Sequence, residues 1–105
     1  MEKKYLPTGW PTAAKLPGMT YLPILKVWIG YNADYDAEYL YWEPDTPMPK
    51  AGYAEAHVAY EVADINAAVA LPGTEIILPP LDVGPMIISY VRVPNGPIVE
   101  WEQKK

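Results

Sequence analysis

The sequence predicts an α+β domain in which strands dominate, with roughly six to eight of them around one principal helix. Three observations carry that prediction. Apolar and polar residues alternate with period two over several short segments, and one segment opens on an N-capping Asp and then repeats apolar residues at helical spacing. The third observation is that 13 prolines spread over 105 residues leave little room for long helices. This length admits a single compact domain, residues 1–105, which buries roughly two-thirds of the surface of its unfolded chain. Half of the residues are hydrophobic, enough to build such a core without disulfides.

Pro7, Pro11, Pro17 and Pro23 interrupt the first quarter, which is expected to be extended chain with turns. In Leu25 to Tyr31, Leu25, Val27 and Ile29 alternate with Lys26, Trp28 and Gly30, as in a half-buried strand. Asn32 to Asp36 is the polar turn that ends it. Glu38 to Glu43 is a second strand, with Glu38, Leu40 and Trp42 on one face and Tyr39 and Tyr41 on the other. Pro44, Pro47 and Pro49 then form a linker, so that residues 1–50 and 51–105 are two parts of one domain. In His57 to Val62, Val58, Tyr60 and Val62 oppose His57, Ala59 and Glu61, which places the polar set toward water or a cleft. Asp64 caps a helix of about two turns, buried through Ile65, Ala68 and Val69 and stopped by Pro72 and Gly73. Glu75 to Leu78 is a strand ended by Pro79 and Pro80. Met86 to Val93 is the longest, and the turn Pro94-Asn95-Gly96 returns the chain into Ile98 to Glu102.

Composition excludes several functions. A net charge of −5 with only eight scattered basic residues opposes nucleic-acid binding and a polybasic membrane patch. No apolar run approaches the ~20 residues of a membrane-spanning helix, and the charged, Pro-containing start MEKKYLPTGW is unlike a secretory signal, so the expected location is cytoplasmic. With no Cys there is neither a thiol nucleophile nor a Cys-built zinc site. The glycines are isolated at turns, which leaves no phosphate-cradling loop, and Ser89 has no catalytic partners around it.

The order strand, helix, strand, strand, strand, written HVAYEVADINAAVA, EIILPP and MIISYVRVPNGPIVEWEQ, resembles one module of the vicinal-oxygen-chelate superfamily, the glyoxalase, bleomycin resistance protein and dioxygenase group. The resemblance covers Ala56 to Gln103. It implies a curved mixed sheet in which paired βαβββ modules form a cup. It further implies a divalent ion held by a His or Gln on the first strand and a Glu on the last strand of each module, and His57 and Glu100 stand at those places. The first half looks like a reduced module without its helix. Lys4 to Thr8 is its vestigial opening strand, with Lys3 or Lys4 where the superfamily has a metal ligand. Glu38 is its candidate Glu, or Leu40 if the register shifts by one bulge.

A single His excludes a two-His, one-carboxylate iron site within one chain. His57, Glu100 and Glu38 together would suit zinc, manganese or nickel; the alternative is a neutral imidazole hydrogen-bonded to Glu100 or Glu38, with no metal ion. Without metal, His57, Glu100 and Tyr90 facing one cavity would supply a base near neutral pH and a phenol to polarise a carbonyl, as in a lyase or isomerase. The chain lacks Phe but has nine Tyr and four Trp, so Trp28, Tyr39, Tyr41, Trp42 and Trp101 are either the walls of a cup for a flat or cationic small molecule, or core and dimer face. The expected function is small-molecule binding. The alternative is a non-catalytic interaction module whose cup is filled by its own side chains. A helix-less half also leaves one sheet face uncovered, which predicts a symmetric homodimer.

Overall fold

The computed structural model describes residues 1–105 and gathers the period-two segments into one eight-stranded sheet. The chain runs β1 (Lys4–Pro11), β2 (Thr20–Leu22), β3 (Val27–Asn32), β4 (Ala37–Trp42), α1 (Lys50–Ala54), β5 (His57–Glu61), α2 (Ile65–Val69), β6 (Glu75–Asp82), β7 (Met86–Arg92) and β8 (Ile98–Lys104). Across the sheet the order is β2-β3-β4-β1-β5-β8-β7-β6. Each half follows the same plan, with its opening strand parallel to its closing strand: β1 beside β4, and β5 beside β8. The halves meet where β1 and β5 pair antiparallel. The sheet curls into a half-barrel, the α+β curved mixed sheet expected above.

Period two decides which side chains enter the cup. Leu25, Val27 and Leu40 from the first half meet Ile88, Tyr90 and Ile98 from the second in one cluster, so these residues mark the concave face. Met48 and Val83, from the connecting segments, are buried in the same cluster. The intervening positions Val91, Val99 and Trp101 point the other way and bury Ile65 and Ala68 of α2. That helix is held as the sequence predicts, with the Asp64 carboxylate accepting from the backbone amides of Asn66 and Ala67. At five residues it is shorter than two full turns, and Gln103 ties its start by accepting from the Ile65 amide.

Several elements differ from expectation for identifiable reasons. The first quarter contains a full strand of eight residues, and Pro7 is tolerated there because it falls where the β1–β5 register shifts between Leu6 and Gly9. The first half therefore has all four strands and lacks only the helix. Lys4 lies opposite Glu61 at the far end of β1, whereas Gly9 is the β1 residue opposite His57. β6 runs through Pro79 and Pro80 because it is a sheet edge, where proline costs no ladder bond, and its register shifts between Leu78 and Leu81. A short helix that the sequence reading did not anticipate, α1, follows Pro49 and carries the end of the predicted linker into the second part of the chain. The last turn is also longer than a two-residue hairpin, because the strands end at Arg92 and resume at Ile98, with Asn95 supplying the positive φ of 56°.

Candidate functional site: a carboxyl cluster on the floor of the cup

β8 presents Ile98, Glu100 and Glu102 to the concave face, because residues two apart share a side. Across the cup β4 presents Glu38. The strand pairing repeats between halves: Tyr31 lies opposite Glu38 on β3 and β4, as Tyr90 lies opposite Glu100 on β7 and β8. Leu40, the alternative under a shifted register, is instead buried in the apolar core. Glu38, Glu100 and Glu102 together line a cavity of about 130 Å³ whose remaining walls are Leu22, Ile29, Val83, Pro85, Met86 and Ile88.

His57 lies behind this cavity, outside its lining. Its Nε2 is 3.0 Å from Glu100 Oε1, its side chain is 1% exposed, and its ring meets that of Tyr90 edge-on at 4.7 Å. Nδ1 is buried without a hydrogen-bond partner. Gly9 makes the placement possible, because a Cβ there would come within 2.1 Å of the imidazole Cε1.

Burial dominates the electrostatics. It lowers the His57 pKa to about 4, against the opposing pull of Glu38 and Glu102, so the imidazole is neutral at pH 7. It raises Glu100 to about 8, and the charge of Glu38 adds to that, while the hydrogen bond with Glu102 works the other way. Glu102 is raised to about 8 by burial, then by Glu100 and Glu38. Glu38 is raised by burial and moderated by His57. Burial, then the carboxylates, holds the Tyr90 phenol protonated far above neutral pH. The close contact of His57 with Glu100 is therefore a hydrogen bond between neutral groups at pH 7, and Glu100 and Glu102 titrate as a coupled pair near neutrality. The groups able to exchange protons there are carboxyls, and His57 positions Glu100.

This arrangement does not fit the divalent ion implied by the resemblance. Glu38, Glu100 and Glu102 share the cavity, but no three His, Asp or Glu side chains stand close enough together to hold one ion, and the imidazole directs Nε2 at Glu100.

The aromatic residues divide between the faces. Trp42 packs against the core of the cup and Tyr90 is part of it. Trp101 belongs to the layer under α2, and Trp28, Tyr39 and Tyr41 alternate with cup residues and so face outward. The aromatic walls expected for the cup are mostly on the outside; there Tyr21 and Trp28 both donate to Glu43 and the Tyr39 hydroxyl accepts from Asn32, whereas the buried indole N–H of Trp101, like that of Trp42, has no partner. Ser89 is structural, donating to the Leu78 carbonyl. Glu102 was not among the residues singled out from the sequence, although its spacing of two from Glu100 is a signal that it shares the cup face.

The chain is similar in fold to a hypothetical protein, BH1468, from Bacillus halodurans C-125, at 20% identity and a TM-score of 0.67, over 100% of this chain and 96% of that one. No family model and no curated protein matches it. No helix is long and apolar enough to cross a membrane.

Proposed function

We propose that this chain is a small-molecule-binding protein related to the vicinal-oxygen-chelate superfamily, holding a compact ligand against Glu38, Glu100 and Glu102. The observation that carries this reading is the convergence of three carboxyls on one small cavity with apolar opposite walls. The half-barrel of two four-stranded halves supports the kinship, as does the position of His57 and Glu100 at the start of β5 and on β8. About 130 Å³ is close to the ~150 Å³ of an engineered cavity that accepts benzene, so the ligand has around six heavy atoms. Neutral or singly positive ligands are favoured, because an anion would meet three acids. The available chemistry is proton exchange: as the coupled Glu100–Glu102 pair titrates, one carboxyl accepts a proton while the other returns one.

The test is a ligand-observed NMR screen with hydroxyacetone, methylammonium and acetate at millimolar concentration, followed on the carboxyl ¹³C resonances of Glu100 and Glu102. Hydroxyacetone or methylammonium should bind, acetate should not, and Glu102→Gln should weaken binding about tenfold. Deuterium entering hydroxyacetone from D₂O would identify the site as an acid–base catalyst. If none of the three moves the carboxyl resonances, the reading fails, and the second one stands: an interaction module whose cup is filled by its own Leu25, Met48 and Val83. A companion measurement concerns metal. Elemental analysis of protein purified without chelator should find no stoichiometric ion, and an ion present one to one and lost in His57→Ala would overturn the assignment of His57 as a positioning residue.

A further inference from the structure

The two halves differ most on their outer faces. In the second half the outward side chains Val91, Val99 and Trp101 are covered by α2. The first half has no such helix, and the irregular segment 12–19 crosses only part of the corresponding face. There Lys15 Nζ sits 3.5 Å from the centre of the Trp28 ring, and Met19 packs over Gly30, where a Cβ would be 3.2 Å from the Met19 side chain. The remainder is open. On the parallel pair β1–β4, Thr8 lies opposite Ala37 and Trp10 opposite Tyr39, and with Tyr35 from the turn these residues line a cleft of about 360 Å³.

We propose that this cleft is a second ligand site, one that takes a planar aromatic cation. Its floor is made by the small residues Thr8 and Ala37 and its walls by three rings, a shape that accepts a flat ring and excludes a bulky one. Trp10 is 55% exposed and Tyr35 77%, so both rings offer faces to an incoming molecule. No Lys or Arg lines the cleft, and the chain carries a net charge of −5. Lys15 on Trp28 shows that this same face already holds one cation against an indole. The volume falls within the ~300–1,000 Å³ of small-molecule sites. The site is separate from the cup, so either can fail without the other.

N-methylquinolinium, a bicyclic planar cation, is the probe, with quinoline at pH 8 as its neutral isostere and tetramethylammonium as the non-planar cation. Saturable shifts of the Trp10 indole N–H are expected with N-methylquinolinium, about fivefold weaker affinity for quinoline, and weaker affinity still for tetramethylammonium. Trp10→Ala and Tyr35→Ala, both at exposed positions, should each weaken N-methylquinolinium at least tenfold while the thermal midpoint stays unchanged. Binding that survives both substitutions would overturn the site, as would shifts confined to Glu100 and Glu102. Equal affinity for quinoline would overturn the cationic preference. Concentration-dependent broadening of the Trp10 signal without any probe would assign the cleft to self-association instead.

Discussion

Gly9→Ala is expected to destabilise the protein by about 3 kcal/mol, the upper end of what one added methyl costs in a packed interior. The reason is steric and local. A Cβ at Gly9 would fall 2.1 Å from Cε1 and 2.2 Å from Nε2 of His57, and the imidazole, 1% exposed, has no space to retreat into. Moving it breaks the hydrogen bond to Glu100, so the substitution also removes the partner that positions a carboxyl of the cavity. Gly30→Ala is the matched control on the same sheet, because its Cβ would be 3.2 Å from the flexible Met19 side chain, which gives way at little cost. Urea unfolding measures both. If the clash with His57 is the cause, His57→Ala in the Gly9→Ala background relieves it, and the double variant is more stable than the two single effects predict by addition. Strict additivity would show that Gly9 matters for a reason unrelated to the imidazole.

Most of the architecture was legible because it rests on short-range rules. Alternation located β3, β4, β5, β7 and β8 to within one or two residues, and the Asp64 cap located α2. What was not legible depended on pairing partners. Pro79 and Pro80 stop a central strand but not an edge strand, and only the sheet order shows that β6 lies at an edge. β1 was underestimated because Pro7 falls at a register shift that its neighbour β5 creates.

The site divides along the same line. The structure brings His57 and Glu100 to 3.0 Å of each other, with Glu38 across the cavity. The role of each group could not be read from residue type, because burial inverts the ordinary order of their proton affinities, leaving the imidazole neutral and the carboxyls titrating near neutrality. The aromatic residues show the complementary case. The alternation correctly put Tyr39 and Tyr41 opposite Glu38, but which of the two faces is concave is a property of the whole curled sheet. On the outer face a hydroxyl or indole N–H gains where it reaches a partner, as those of Tyr21 and Trp28 do at Glu43.

The carboxyl cluster should make the protein less stable as pH rises, most steeply between about pH 6.5 and 8. Glu100 and Glu102 have folded-state pKa values of about 8 against an ordinary 4.5, so between those limits the folded chain binds more protons than the unfolded one and stability falls with pH. His57 acts in the opposite sense. Its folded value of about 4 lies below 6.5, so the unfolded chain binds the extra proton between pH 4 and 6.5 and stability there gains from raising the pH. The two effects partly cancel up to pH 6.5, and above it only the carboxyls act. Asp45 and Asp82 are held below the usual carboxylate range by Lys26 and Lys105, while Tyr21, Tyr31 and Lys26 are raised above theirs, so none of these titrates in the window. Glu100→Gln removes one buried charge and keeps an amide able to donate to His57 Nε2. Its stability should match the parent at pH 5 and exceed it by about 2 kcal/mol at pH 8, as followed by urea midpoints across the range. A parent midpoint that stays flat from pH 6 to 8.5, or a variant that loses as much at pH 8 as at pH 5, would show that the carboxyls are ionised in the folded protein at neutral pH and that Glu100 and Glu102 do not share a proton on the cavity floor.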